Sequence, residues 1–324
     1  MERCSFALPS VPDEAFFSAG RAFRPRLPRW VLGIALASSI LAPADLPARL
    51  VETRPVARGA VEMAPLVNDA DSAASRSPAT ALASLALPVP AIRGIPTELG
   101  RSAIRRRLAE DPAVFGALSV GRPNRGALVA GLRMPDGPLW DVVDPKRAYG
   151  TEETVASLVK AIAHVNEEWP GTPKLYVGQI SAERGGYLRP HRSHQSGRDV
   201  DLGYYYSSGP AWYVRATRDN LDLQRTWSLV KALSEDANVE AIFMDRSVQQ
   251  ILKEYAAKTG EDAATLAKVF GGLHAEEPLL HHEWGHLTHM HVRLSCPVAR
   301  DAALRAYGTI AEARQVRQAR RARS

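Results

Sequence analysis

Hydrophobic side chains recur at helical spacing in the middle of the chain. One run consists of Val155, Leu158, Val159 and Ile162. Intervals of three and four residues predict a helix with one buried face. Thr151 precedes the run as a candidate N-cap, and the two glutamates that follow it favour the positive end of a helix.

Further patterned segments continue from about residue 110 towards the C-terminal end. Strands are predicted at 174–180, 239–244 and 290–294, and helices at 220–233 and 248–257. The first strand follows a turn signal, Pro170-Gly171-Thr172-Pro173. Helices and strands are mixed without a regular strand–helix repeat, which predicts an α+β fold.

The first 44 residues have the order of a secretory signal. A basic stretch ending at Arg29 precedes an apolar run from Trp30 to Ala42, and small residues follow up to Ala44. The run of about 13 residues is shorter than the roughly 20 that span a bilayer. We predict a signal peptide cleaved near Ala44, with an uncleaved anchor as the alternative.

The rest of the chain divides by composition. Residues 45–110 lack a sustained period and are rich in Ala, Pro and Ser, so a disordered low-complexity linker is predicted there. A folded domain is expected over 111–308 and a basic tail over 309–324. The net charge is +6, but the excess lies in 1–44 and in the tail. The near-neutral remainder gives no reason to expect nucleic-acid binding.

Cysteine usage restricts the kind of metal site that the chain can build. Of the two cysteines, Cys4 falls in the predicted signal segment, so Cys296 is expected to be a lone, buried thiol without a disulfide. Thiolate-rich zinc sites are therefore excluded. Any metal must bind to histidines and carboxylates.

Seven of the nine histidines lie in two short stretches of the chain, 191–194 and 281–291, and each stretch contains one cluster of candidate ligands. The first cluster spans residues 191–201 and contains His191, His194, Asp199 and Asp201. If its end is extended, both carboxylates share one face of a strand, and Gly197 can turn the chain towards His194. Spacing does not choose between Asp199 and Asp201. The alternative is that these carboxylates cap turns and pair with neighbouring arginines.

The second cluster contains His286, His289 and His291. In a strand, His289 and His291 project to one side, while Met290 and Val292 point into a core. Two histidines and one aspartate leave a fourth tetrahedral position open for water, as in catalytic zinc sites. The remaining histidines suit proton transfer near neutral pH.

Together these motifs resemble those of the penicillin-insensitive murein endopeptidases, within the lysostaphin, D-Ala-D-Ala peptidase and hedgehog-like group of zinc peptidases. The matching segments are Gly185-Gly186, His191-x-x-His194-Gln195-x-Gly197-x-Asp199-Val200-Asp201 and Trp284-Gly285-His286-x-x-His289-x-His291-Val292-Arg293-Leu294-x-Cys296-Pro297. The resemblance runs from roughly residue 116 to 297. It implies an α+β domain around a small antiparallel sheet flanked by helices, with one Zn²⁺ held by His194, Asp201 and His291.

The resemblance also implies roles and a substrate. Either His289 or His286 is the general base, and His289 is favoured because its ring shares a face with His291. Supporting roles are expected for Asp199, for His191, which could also be an additional ligand, and for Arg293, which either meets a substrate carboxylate or pairs with Asp199. Trp284 is expected to line the substrate cleft. The implied reaction is hydrolysis of D-alanyl–diaminopimelyl cross-links in periplasmic peptidoglycan by a metal-activated water.

Three alternatives remain open. A carboxypeptidase trimming terminal D-Ala would need a cationic pocket, which Arg189, Arg192 or Arg293 could supply. A non-catalytic, zinc-containing wall-binding module would not need an open metal position. A metal-dependent nuclease is disfavoured by the near-neutral domain.

The remaining aromatic and histidine residues have less specific interpretations. Residues 204–206 form a tyrosine run that either flanks a substrate groove or packs in the core. The same two interpretations apply to Trp212. His281 and His282 are predicted to be surface loop residues.

Overall fold

The computed structural model describes residues 86–272, 277–307 and 312 of the chain. The predicted signal segment, most of the predicted linker, all but one residue of the basic tail, and His274 lie outside the described residues. Within the described part, no helix combines the length and the apolar character needed to cross a membrane.

Helices and short strands are mixed along this part of the chain. The helices are α1 (Arg101–Glu110), α2 (Glu152–Glu168), α3 (Leu223–Glu235), α4 (Arg246–Lys258), α5 (Ala263–Phe270) and α6 (Pro297–Tyr307). The strands are β1 (Leu118–Arg122), β2 (Arg125–Val129), β3 (Leu132–Arg133), β4 (Trp140–Val142), β5 (Tyr149–Gly150), β6 (Leu175–Val177), β7 (Asp199–Leu202), β8 (Val239–Met244), β9 (Leu280–His282) and β10 (Met290–Leu294). The predicted α+β class is confirmed.

A six-stranded sheet in the order β4-β6-β7-β10-β8-β9 forms the centre of the fold. Its four inner strands pair antiparallel, as expected, whereas β4 and β9 pair parallel with their neighbours at the two edges. The pairing of β7 with β10 sets Asp201 opposite His291 and Asp199 opposite Arg293. This register brings the two histidine clusters together.

The two faces of the central strands differ in chemistry. Val200, Met290 and Val292 are fully buried in the main hydrophobic core. Because side chains alternate along a strand, Asp201 and His291 project from the opposite face. The predicted alternation in both strands is confirmed.

Helix α2 contributes its apolar side chains to the main hydrophobic core and matches its predicted position. The hydroxyl of Thr151 accepts the backbone N–H of Thr154 at 3.1 Å, as an N-cap does. The four predicted apolar positions are fully buried. Strands β8 and β10 also have their predicted bounds, while α3 and α4 differ from prediction by a few residues and β6 is shorter than predicted.

The two glutamates that begin α2 do more than favour the positive end of the helix. Glu153 is buried, and its carboxylate accepts the backbone N–H groups of Val298 at 3.0 Å and Ala299 at 2.9 Å. It therefore caps the start of α6, which has orphan donors there. Glu152 accepts the backbone N–H of Ala117 at 2.8 Å.

A second, smaller core lies under the β1–β2 hairpin. Ile104 and Leu108 of α1 pack there with Leu118 and Ala302. The prediction of a linker through residue 110 differs from the structure here, because α1 belongs to the folded unit. Only two of its residues are buried among many arginines, so the helix lacks a clear apolar period.

Cys296 is fully buried, as expected, just beyond β10. Its sulfur lies 3.2 Å from the hydroxyl of Thr151 and 3.3 Å from that of Thr154. Burial raises the pKa of the thiol to about 11. The Thr154 hydroxyl also donates to the carbonyl of Gly197, which connects the start of α2 to the loop before β7.

Candidate functional site

Three side-chain donors from the two clusters meet above the β7–β10 pair. His194 Nε2 lies 3.1 Å from His291 Nδ1 and 3.3 Å from Asp201 Oδ1, and the distance from His291 Nδ1 to Asp201 Oδ1 is 3.4 Å. All three side chains are buried. The donors thus form a nearly equilateral triangle.

The size of this triangle suits a metal cation. Ligands about 2.0–2.1 Å from a tetrahedral zinc ion are separated by roughly 3.4 Å. Asp201 Oδ1 is buried and has no hydrogen-bond partner among the described residues. Burying an unpaired carboxylate oxygen is unfavourable, so this atom needs a cation or a proton.

In both histidines, the ring nitrogen that points away from the triangle (the far nitrogen) has a hydrogen-bond acceptor, as is usual in metal-binding histidines. His194 Nδ1 lies 2.9 Å from the carbonyl oxygen of Ile180, and His291 Nε2 lies 3.0 Å from Asp199 Oδ1. These acceptors hold protons on the far nitrogens and leave the near nitrogens free to bind a cation. The residues present therefore fit a bound metal.

The loop before β7 brings His194 to this point. His194 itself has a φ of 61°, and Gly197 has a φ of 73°. A Cβ at Gly197 would lie 2.8 Å from Leu128 Cδ1, so glycine is needed for both conformation and space. The backbone N–H of His194 donates to Asp199 Oδ2 at 3.1 Å. The predicted turn at Gly197 is confirmed.

His191 lies next to the triangle formed by His194, Asp201 and His291. Its Nε2 lies 3.7 Å from Asp201 Oδ2 and 2.7 Å from Gln179 Oε1. The ligand atoms of His191, His194 and Asp201 all lie within 4.8 Å of one another, so these residues form a second possible donor set. The shorter distances within the triangle that includes His291 make it the better-defined set.

Asp199 and Asp201 share a strand face, yet their surroundings differ. Asp199 is fully buried and accepts Arg293 Nε at 2.8 Å as well as bonding to His291. Burial would raise its pKa, but His291 and Arg293 outweigh that effect and lower it. Asp199 is thus a fully engaged anion behind His291, and Arg293 pairs with it.

The pKa of His291 depends on the neighbouring carboxylates of Asp199 and Asp201. Burial lowers its pKa, but Asp199 and Asp201 outweigh burial and raise the pKa to about 9. A proton therefore occupies the donor cluster at neutral pH in the absence of a cation. A cation binding at His291 Nδ1 has to displace this proton.

His289 lies at the edge of the triangle, and its Nε2 is 3.8 Å from Asp201 Oδ1. Its Nδ1 contacts the Thr288 hydroxyl at 3.0 Å. Burial is the main reason that its pKa is lowered to about 4, against the attraction of Asp201. His289 is therefore neutral at pH 7 and able to accept a proton.

His286 is the second candidate base, and it lies beside His289 and His291. Its ring centroid is 4.9 Å from that of His289 and 6.0 Å from that of His291. Its Nδ1 bonds to the carbonyl oxygen of Trp284 at 3.2 Å. Burial is the main reason that its pKa is also lowered. Both candidate bases thus adjoin the site, with His289 closer to the carboxylate.

Trp284 is 81% exposed, and its ring centroid lies 4.9 Å from that of His282. His281 and His282, predicted as loop residues, form part of strand β9 and are half-buried. Tyr204 in the tyrosine run is buried, and its hydroxyl donates to the carbonyl oxygen of His286 at 3.0 Å. Packing is therefore the role of that run.

Sequence reasoning missed Gln179, Ile180 and Tyr213 as neighbours of the site. Gln179 and Ile180 contact His191 and His194 from just beyond β6. Tyr213 stacks on His289, with ring centroids 5.4 Å apart. None belongs to a histidine motif, so no local signal marked them.

Comparison with known proteins gives one family. Residues 119–306 match the family model described as penicillin-insensitive murein endopeptidase. Proteins with that name from Pectobacterium atrosepticum and Haemophilus influenzae are 28% and 27% identical over 200 and 201 residues. The alignments cover 55% and 56% of this chain and 65% and 64% of the relatives, so the chain spans less than two thirds of their length. The Klebsiella pneumoniae relative is 28% identical over 206 residues, which are 57% of this chain and 69% of that protein.

Proposed function

The chain belongs to the penicillin-insensitive murein endopeptidase family, and we propose that it is a zinc-dependent endopeptidase that hydrolyses peptide cross-links in peptidoglycan. The observation that carries the proposal is the buried triangle of His194 Nε2, His291 Nδ1 and Asp201 Oδ1, with the neutral ring of His289 beside it. Hydrolysis needs an activated water and a proton carrier. The cluster contains residues suited to both.

Zinc is the metal that we propose for this donor set. Two imidazoles and one carboxylate are ligands that zinc accepts, and three protein ligands are typical of its catalytic sites. When bound, zinc supplies a water of lowered pKa and polarises the carbonyl of the scissile bond. His194, Asp201 and His291 would hold it, and Asp199 would fix the ring of His291.

His289 is the proposed general base. Its Nε2 faces the carboxylate of Asp201, and the ring is neutral at pH 7, so this nitrogen can take a proton from the attacking water. The resulting imidazolium can then give the proton to the leaving amine nitrogen. His286 is the alternative. Its ring lies beside those of His289 and His291, whereas the contact with Asp201 belongs to His289, which favours a supporting role for His286.

The proposed substrate bond is the D-alanyl–diaminopimelyl cross-link, as the family resemblance implies. Trp284, with its exposed indole, is proposed to contact the substrate. The signal-like segment at 1–44 supports action in the periplasm after secretion.

Among the alternatives, the carboxypeptidase requires a free cation for a terminal carboxylate. Arg293 already pairs with Asp199, which leaves Arg189 and Arg192 as candidates. A wall-binding module without catalysis has no need for a neutral, buried His289 beside a carboxylate oxygen that lacks a hydrogen-bond partner among the described residues. The second observation favours the endopeptidase over the wall-binding module, and the first removes Arg293 from the cations open to the carboxypeptidase.

One experiment tests the proposal. The full-length protein is incubated with purified cross-linked muropeptides and with monomeric pentapeptides, and products are identified by mass spectrometry. We expect dimers to be converted to monomers, with activity abolished by a chelator and restored by zinc. His291→Ala is expected to be inactive. His164→Ala is the matched control because His164 is exposed on α2.

The products separate the alternatives. Shortened pentapeptides with intact dimers would replace the endopeptidase with the carboxypeptidase. Zinc bound at one ion per chain with no change in either substrate would indicate the wall-binding module.

A further inference from the structure

The loop between β7 and α3 carries two aromatic residues to the edge of the donor cluster. The ring of Tyr213 stacks on that of His289 with an interplanar angle of 17° and a centroid distance of 5.4 Å. Trp212 lies beside both, 5.6 Å from Tyr213 and 6.2 Å from His289 between ring centroids. Tyr213 nevertheless remains 63% exposed. One face of the Tyr213 ring thus covers His289, while much of the side chain is exposed to solvent.

The backbone at Tyr213 is held in a conformation that tyrosine rarely adopts. Its φ is 63°, in the left-handed region that favours glycine. Strained residues of this kind persist where the surroundings fix them, and they concentrate at functional sites. The position of Tyr213 therefore calls for an explanation beyond chain connection.

Contacts on both sides hold this loop in place. The indole of Trp212 occupies the space over Gly178, where a Cβ would lie 2.4 Å from its Cη2 atom. The backbone N–H of Ala216 donates to the carbonyl oxygen of Leu287 at 2.7 Å, and Leu287 belongs to the segment between His286 and His289. The loop is thus attached to both β6 and the histidine-bearing segment.

We propose that the exposed side of Tyr213 is a binding platform for the peptide beside the scissile bond. This inference rests on the proposed function. His289 lies between the platform and the donors, with its ring centroid 5.4 Å from that of Tyr213 and its Nε2 3.8 Å from Asp201 Oδ1. The platform is therefore within roughly three extended residues of the donors. Aliphatic side chains and methyl groups of the cross-link are of the right chemistry to pack on an aromatic ring.

The short span favours the peptide over the glycan strand as the group on the ring. A peptide bond positioned at the donors has its flanking residues within this distance, whereas the sugar is separated from it by the rest of the peptide stem. The platform is therefore expected to contribute to the affinity for cross-link peptides that contain no sugar.

Binding without turnover tests the platform directly. Chelator-treated full-length protein is titrated calorimetrically with a sugar-free cross-linked peptide dimer, after circular dichroism has verified folding. Tyr213→Ala is expected to weaken binding about tenfold, while Tyr213→Phe keeps the ring and stays within about twofold. Leu304→Ala is the control, because it removes an equally exposed apolar side chain from α6.

Kinetics with the zinc-loaded protein separate binding from support of His289. The platform predicts that Tyr213→Ala raises KM about tenfold and leaves kcat within about threefold. A lowered kcat with unchanged dissociation constant would show that Tyr213 only orients His289, and the proposal would be wrong. A loss seen only with disaccharide-bearing dimers would assign the ring to the glycan and overturn the peptide assignment.

The experiments also distinguish a failure of the proposed endopeptidase function from a failure of the platform. If the wild-type protein binds the dimer but does not cleave it, the endopeptidase activity fails and the dissociation constants still decide the platform. If the wild-type protein does not bind the dimer, the platform is wrong as well.

Discussion

His291 and Asp199 face each other diagonally across the β7–β10 pair, with His291 Nε2 3.0 Å from Asp199 Oδ1. This contact turns His291 Nδ1 towards His194 and Asp201. Asp199 is fixed in turn by Arg293 Nε at 2.8 Å. A carboxylate that bonds to the far nitrogen of a metal-binding histidine sets its tautomer and raises its basicity.

Replacing Asp199 is therefore expected to weaken metal binding without removing a direct ligand. Asp199→Asn keeps the side-chain shape but removes the charge that orients His291 and pairs with Arg293. We expect zinc affinity to fall about 10- to 100-fold, measured by competition with a chromogenic chelator. Saturating zinc should restore much of the activity.

The control for this substitution is Asp136→Asn, because Asp136 is highly exposed. Asp201→Asn should be the more severe change, with loss of stoichiometric zinc. Equal zinc affinity in Asp199→Asn and the wild type would show that the Asp199 charge does not support the metal site.

The two candidate bases differ in their contact with Asp201, which His289 Nε2 approaches to 3.8 Å. His289→Ala is expected to lower kcat by about 10²- to 10⁴-fold while zinc content stays at one ion per chain. His286→Ala is expected to have the smaller effect, because the contact with Asp201 is made by His289. Steady-state kinetics and metal analysis of the same preparations provide the measurement. A larger fall in kcat for His286→Ala would reverse the assignment.

The buried thiol predicts a specific dependence of stability on pH. The folded protein holds the Cys296 proton up to a pKa of about 11, because burial raises that pKa above the unfolded value of about 9. The unfolded chain releases the proton first, so this contribution to stability is complete below pH 9. It is lost as pH rises through 11, by roughly 2–3 kcal/mol.

Urea unfolding at several pH values between 7.5 and 11 measures this effect. Cys296→Ala should be less stable at neutral pH, since contacts to Thr151 and Thr154 are lost, but its stability should fall less steeply above pH 9. The tyrosines that titrate at high pH are present in both proteins, so the comparison isolates the thiol. Parallel pH profiles would rule out this linkage.

Glu153 joins the start of α2 to the start of α6 through two backbone N–H groups. Glu153→Gln leaves at most one good acceptor for these donors and removes the charge. We expect the free energy of unfolding to fall by about 1–3 kcal/mol. Urea denaturation measures it, with Glu167→Gln at an exposed position of α2 as the matched control. An equal stability of the two variants would contradict the capping role.

Much of the local structure was predictable from the sequence because it depends on short-range periodicity. Helix α2 followed from four apolar positions and the Thr151 cap, and β10 followed from the alternation around His291. Helix α1 did not, because its two buried side chains are recognisable only against the second core.

The candidate site likewise combines features that the sequence predicts with features that only the fold creates. The spacing of residues was enough to place His194, Asp199, Asp201 and His291 in two motifs. It also predicted that both carboxylates share one face of a strand. Spacing alone could not separate the two carboxylates, since the period of a strand treats them alike, and it was the motif resemblance that implied Asp201 as the ligand. Only the register of β7 against β10 and the turn of the loop at His194 place Asp201 beside both histidines and Asp199 behind one of them. These are contacts between residues about 90 positions apart, which tertiary packing decides and local sequence does not.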